Sequence, residues 1–165
     1  KGKIILHKKQ QVITRIGNEW QVKKDLLDYP IIYVTWYGAL EYTIWLSNYT
    51  GDTYGLPTEA EWEYAAKGGN KSQYFVYSGS DYLNQVGWYD IYSEGRAHQV
   101  AKLEPNELGL FDMSGNVWEW CLDWYDKDYY KNSPAENPLN SEKIAGKVIR
   151  GGSWFNNHKH CYLVH

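Results

Sequence analysis

The chain has 165 residues and a mass of 19.3 kDa, enough for one domain with a sizeable core and too few for two domains of about 100 residues or more each. Its 17 basic and 20 acidic residues leave a formal charge of -3, which gives no electrostatic reason to follow a nucleic-acid backbone or an anionic membrane. Hydrophobic residues at 43% and charged residues at 22% exclude wholesale disorder and collagen-like repeats.

What departs from ordinary usage is the aromatic fraction of 17%, carried by nine Trp and 16 Tyr against three Phe. Trp and Tyr bury large areas but need a partner for an N–H or O–H, so they suit a wet, loop-rich core or a binding surface better than an aliphatic helical bundle. No apolar run approaches the roughly 20 residues needed to cross a bilayer; the richest, from residue 31 to 40, is interrupted by Tyr33, Thr35 and Gly38. No membrane insertion and no nucleic-acid partner are therefore expected.

In chain order, residues 1–30 are polar apart from Ile4-Ile5-Leu6 and Val12-Ile13, which read as short strands, and Pro30 closes the segment. The apolar core at the start is too short for a signal peptide and the first residue is not Met, so the chain reads as cut from a longer product. After Ile31-Ile32-Tyr33-Val34, Thr35 is placed to cap a helix running from residue 36 to about 48 and ending near Gly51. Within it Trp36, Leu40, Ile44 and Trp45 follow helical spacing and are expected in the core.

The clearest local signal is Leu56-Pro57-Thr58-Glu59-Ala60-Glu61-Trp62-Glu63-Tyr64-Ala65-Ala66. Thr58 can cap a second helix while Glu61 reaches back to complete a capping box, and Gly68-Gly69 stops it. Glu59, Glu61 and Glu63 crowd the first turn, where the helix dipole favours them, so their expected role is structural. Residues 70–106 alternate turns and short strands, and Gly79, Gly87, Gly95 and, just beyond, Gly109 mark reversals. Residues 117–124 alternate as a strand, 131–140 read as loop, and Lys147-Val148-Ile149-Arg150 is a strand running into Gly151-Gly152. Two helices among short strands and long loops predict an α+β domain.

Few residues have spacing suited to chemistry. Asp112 and Glu119 place two carboxylates around a Gly115-Asn116 turn, with backbone carbonyls between them to complete the oxygen shell that hard cations require. The same residues also read as a solvated turn, with Asp112 and Asn116 bonded to backbone and Glu119 pointing outward. His158 and His160 flank Cys161, and imidazole with thiolate suits copper or zinc. Strand alternation, however, would put the two imidazoles on one face and Cys161 on the other. The ordinary reading of His158, Lys159, His160, Tyr162 and His165 is a polar, adaptable surface. Cys121 and Cys161 allow at most one disulfide and fix neither compartment nor connectivity; a small buried thiol is the simpler role for each. Ser153 lies in a Gly-Gly-Ser-Trp turn, not in a hydrolase elbow.

Four ordered blocks carry a resemblance: Tyr29-Pro30-Ile31-Ile32-Tyr33-Val34-Thr35-Trp36, the Leu-Pro-Thr block at residues 56–66, Gly109-Leu110-Phe111-Asp112-Met113-Ser114-Gly115-Asn116-Val117-Trp118-Glu119-Trp120, and Arg150-Gly151-Gly152-Ser153-Trp154. With them the chain resembles the formylglycine-generating-enzyme, or sulfatase-modifying-factor, domain family from about Tyr29 to its end, as one domain over 1–165. The resemblance implies an irregular, loop-rich variant of the C-type-lectin fold. It also implies calcium held by the side chains of Asp112 and Glu119 with the carbonyls of Gly115 and Val117.

Active members of that family are copper-dependent oxidases that convert a cysteine in a Cys-x-Pro-x-Arg segment of a sulfatase to formylglycine. They use two cysteines five positions apart just after the Gly-Gly-Ser-aromatic block. The matching positions here are Asn156 and Cys161, so the thiolate pair that would bind cuprous ion is broken. Gly55 stands where the family has arginine before Leu-Pro-Thr, removing a partner for the carboxylates of the second helix. Against the family pattern the chain also lacks an opening strand and helix and the closing strands, which implies a fold incomplete at both ends.

The expected function is a calcium-stabilised module that binds a protein, peptide or small-molecule ligand through Trp154, Asn156, His158, His160 and Tyr162. The variable protein of a diversity-generating retroelement is a particular version of it. The competing expectation is a copper-dependent oxidoreductase using Cys161 as a catalytic residue.

Overall fold

A computed structural model describes residues 13–164; the expected strand at Ile4-Ile5-Leu6, together with Val12, lies outside them. Ile13 opens β1 (Ile13–Ile16), which pairs antiparallel with β2 (Glu19–Val22), Ile13 opposite Val22.

Helix α1 spans Trp36–Thr50, with the Thr35 hydroxyl accepting from the Gly38 N–H at 3.1 Å and Gly51 closing the helix in the left-handed region. It runs two residues further than expected and buries no residue fully. The expected core stripe holds only at its start. Trp36 and Leu40 are half-buried, whereas Ile44 and Trp45 are 48% and 55% exposed. Each step of four residues advances about 40° around a helix of 3.6 residues per turn, so a stripe read as Trp36, Leu40, Ile44 rotates off the body by its third member. Trp45 stacks instead between Tyr42 and Tyr49, at 5.7 and 5.3 Å.

Helix α2 (Glu59–Ala66) carries the predicted capping box. The Glu61 N–H donates to Thr58 Oγ1 at 3.1 Å and the Thr58 N–H donates to Glu61 Oε2 at 2.8 Å. Thr58→Ala is expected to lower stability by about 1 kcal/mol, read as a shifted urea midpoint at unchanged slope; an unshifted midpoint would remove the assignment. The helix presents Trp62 and Ala66 to the core, and its acidic residues find the cation that Gly55 cannot supply. Buried Arg150 donates to Glu63 Oε2 at 2.9 Å, Glu59 Oε1 at 3.4 Å and the Leu163 carbonyl at 2.6 Å. Asp123 accepts from the Glu59 N–H at 2.7 Å and from the Asn140 N–H at 2.9 Å. The structural reading of these glutamates therefore stands.

A third helix of four residues, α3 (Leu83–Val86), adds to the two expected and ends at Gly87. Strand β3 (Glu119–Trp124) pairs antiparallel with β4 (Lys147–Arg150), Glu119 opposite Arg150, with a register shift before Trp124. β3 begins two residues later than its alternation suggests, because the bends of a tightly folded loop run on through Val117.

Trp62, Ala66, Met113, Cys121, Val148 and Leu163 form one core cluster; Tyr77, Leu83, Val86 and Cys161 form another. Loops this deep need internal partners for their backbone, and buried Asn106 supplies several. Its amide donates to the Ala65 carbonyl at 2.8 Å and Ser78 Oγ at 3.0 Å, and its oxygen accepts the Leu108 and Leu110 N–H groups. Among the described residues no helix is long and apolar enough to cross a membrane.

Candidate metal centre and ligand-binding face

The loop from Asp112 to Glu119 folds back on itself through three left-handed residues, Asp112 (φ 60), Gly115 (φ 105) and Asn116 (φ 58). Gly115 is required twice, since a Cβ there would also collide with the Trp88 carbonyl. Four bonds pin the loop. The Gly115 N–H donates to the Gly151 carbonyl at 2.7 Å, the Asn116 N–H to the Trp88 carbonyl at 2.8 Å, the Trp154 N–H to the Asn116 carbonyl at 2.8 Å, and the His98 N–H to Asn116 Oδ1 at 3.0 Å.

Asp112 Oδ2 accepts from the Ala101 N–H at 2.9 Å, while its Oδ1 is buried with no hydrogen-bond partner. Burial raises the Asp112 pKa, and the Ala101 N–H bond, the nearby Asn116 side chain and His98 oppose the rise. Glu119 points into the body, contrary to the solvated-turn reading, and its Oε2 accepts the Trp62 indole N–H at 2.8 Å. Burial pushes the Glu119 pKa up to about 7; the Trp62 bond opposes that rise and the Asp112 charge adds to it. The Val117 and Met113 carbonyls face Gly151, 3.9 and 3.4 Å from where a Cβ on it would stand.

A buried carboxylate oxygen without a partner is costly unless something answers it. An all-oxygen set of two carboxylates and nearby carbonyls suits a hard cation and not a soft one. Among the described residues no group of three His, Cys, Asp or Glu side chains converges, so a shell here needs backbone carbonyls, those of Gly115 and Val117 being the ones the family resemblance implies. The residues present fit calcium.

They do not fit a two-thiolate copper site. Cys121 and Cys161 are free, fully buried and in separate clusters, and burial pushes both thiols up to about 12. Cys161 Sγ lies beneath Gly152, 2.8 Å from where its Cβ would be. At the partner position, Asn156 Oδ1 accepts the Ser153 hydroxyl at 2.5 Å and the Asn156 carbonyl accepts the Asp90 N–H at 3.0 Å. The segment through the histidines is a 3-10 turn, His158–Cys161, in which Asn157 Oδ1 accepts the Lys159 N–H and caps it, so strand alternation does not apply. That turn leaves His158 and His160 exposed and carries Cys161 inward.

Of the five residues expected to bind ligand, Trp154 and Tyr162 line two separate grooves, and Asn156, His158 and His160 line neither. Trp154 lines one of about 540 Å³ with Tyr33, Val34, Trp118 and Phe155, and His160 sits edge-on to Trp118 at 6.1 Å. Tyr162 lines the other, of about 570 Å³, with Tyr64, Tyr74 and Phe75; it packs on Tyr77 at 5.4 Å and meets His158 at 6.0 Å. Asn156 is held within its own turn by the Ser153 hydroxyl. Sequence reasoning left out Trp62 and Arg150 from the site, and also His98, whose ring stacks on Trp88 at 3.8 Å. These are contacts between distant segments, and the only local hint was the position of Trp62 inside the capped helix.

A loop-rich α+β body, with a carboxylate loop held between a capped helix and a Gly-Gly-Ser-Trp turn, defines a C-type-lectin-like scaffold of the formylglycine-generating type. The sulfatase-modifying factor enzyme 1-like domain family matches residues 5–164, and the chain belongs to that family. The match begins upstream of the Tyr29 block. The formylglycine-generating enzyme of Streptomyces coelicolor is 36% identical over 148 residues, covering 81% of this chain and 45% of that protein. The chain thus spans about half the length of that relative. Among solved structures, PvdO from Pseudomonas aeruginosa superposes with a TM-score of 0.70 at 28% identity, over 82% of this chain and 54% of its own. Treponema denticola variable protein 1 gives a TM-score of 0.59 at 39% identity, over 67% of this chain and 40% of its own.

Proposed function

We propose that this domain is a calcium-stabilised binding module for a protein, peptide or small-molecule ligand and does not oxidise cysteine. The observation that carries the reading is the pairing of a fully buried Cys161 with Asn156, whose amide is already committed to Ser153. A neutral amide is a poor donor to cuprous ion. A thiol held protonated by burial is neither a ready ligand nor a nucleophile. In the same chain the carboxylate loop keeps its two acidic side chains, the unpartnered Asp112 Oδ1 among them. Calcium bound by Asp112, Glu119 and the carbonyls of Gly115 and Val117 would hold the loop from which the Asn116 carbonyl anchors Trp154. Metal occupancy and the aromatic groove are coupled through that one bond.

Likeness to a protein described as variable favours a version in which residues after Gly-Gly-Ser-Trp are diversified. A nearby template repeat differing from this gene only at adenines is the expected finding for it. Likeness to formylglycine-generating enzymes keeps the oxidase as the reading to test against. Protein reconstituted with cuprous ion and incubated with a Cys-x-Pro-x-Arg peptide is expected to yield no aldehyde by mass spectrometry. Aldehyde formed by the parent and abolished in Cys161→Ser would overturn the binding-module reading.

A further inference from the structure

We propose that Trp62 is a positioning residue of the calcium site, its indole N–H occupying Glu119 Oε2 and leaving Oε1 as the oxygen offered to the cation. The inference rests on the calcium reading above and extends it to a helix that supplies no ligand. Trp62 is 2% exposed, so its N–H must find a partner inside the protein. The partner it finds, 57 residues away, is a carboxylate of the loop at 2.8 Å.

The ring itself is held from several sides. The Arg150 guanidinium lies 5.2 Å from its centroid, and Arg150 is in turn fixed by Glu59, Glu63 and the Leu163 carbonyl. Gly151 packs beside the ring, where a Cβ on it would meet Trp62 Cζ2 at 3.4 Å in ordinary van der Waals contact, and the Gly151 carbonyl accepts the Gly115 N–H of the same loop. The second and fourth sequence blocks therefore clamp the third: one fixes the carboxylate, the other the backbone. A hydrogen bond that holds a ligating carboxylate in one orientation is a common outer support of metal sites, and losing one costs about 10–100-fold in metal affinity.

Core packing alone would also bury a tryptophan here, so the test must separate donor from shape. Replacing Trp62 by β-(3-benzothienyl)alanine substitutes sulfur for the indole N–H and keeps the two fused rings; Trp62→Phe serves as a coarser variant. Calcium affinity is measured by titration calorimetry, and unfolding temperature in excess chelator reports packing. The analogue is expected to bind calcium about tenfold or more weakly while its chelated form melts with the parent. Unchanged affinity in the analogue, or a loss of affinity matched by an equal loss of stability in chelator, overturns the positioning role. A parent that binds no calcium overturns the calcium reading and this inference together, which distinguishes the two failures.

Discussion

Arg150→Ala is expected to be among the most damaging single changes, lowering stability by about 3–5 kcal/mol. Arg150 is 7% exposed, and its removal strands two carboxylates on one face of α2 and leaves the Leu163 carbonyl without its donor. Burial already raises the Glu59 pKa despite Arg150, so without the guanidinium the native state would take up a proton there more readily. A raised carboxylate pKa makes the native state bind more protons than the unfolded chain. Stability lost at neutral pH should therefore be partly recovered as the pH falls toward the unfolded value. Urea titrations at two pH values read both effects. A midpoint within error of the parent would show that the cluster is not the joint between α2, β4 and the segment ending at Leu163.

Gly87→Ala is expected to cost about 3 kcal/mol or more, through overpacking. The backbone at Gly87 is extended and any residue adopts it, so the cost is steric alone. A Cβ there would overlap the Ser114 carbonyl oxygen and approach Leu83 Cδ1 at 2.7 Å. The leucine can yield, but the carbonyl belongs to the carboxylate loop and is fixed on both sides. Gly146→Ala is the control, because a Cβ there meets nothing within 4 Å. Equal unfolding midpoints for the two variants would contradict the close approach.

What the sequence made legible is what is encoded within a few residues. The Thr58 capping box, the stop at Gly68-Gly69 and the strand Lys147–Arg150 depend on neighbours in the chain, and all are found. The two faces of α1 were not legible, because helical spacing says which residues share a face and not how far the body extends along it. Ile44 and Trp45 illustrate the difference. The role of Arg150 in place of the arginine missing at Gly55 was hidden for a related reason: its bonds to Glu59 and Glu63 join residues about 90 positions apart. Asp112 and Glu119 were singled out by the family resemblance, since type and spacing alone also read as a solvated turn, and only the fold supplies the unpartnered Oδ1 and the Trp62 bond. For the histidines, the alternation argument assumed a strand, whereas Asn157 caps a 3-10 turn there.

The most direct measurement is the unfolding temperature in calcium and in excess chelator, for the parent, Asp112→Asn and Glu119→Gln. A cation bound only by the folded state raises stability by about 2.7 kcal/mol at a hundredfold excess over its dissociation constant. The parent should therefore melt several degrees higher in calcium. Both variants should lose most of that response, and neither should melt below the chelated parent by as much. A calcium response retained in full by Asp112→Asn and Glu119→Gln would contradict the account, as would its absence from the parent.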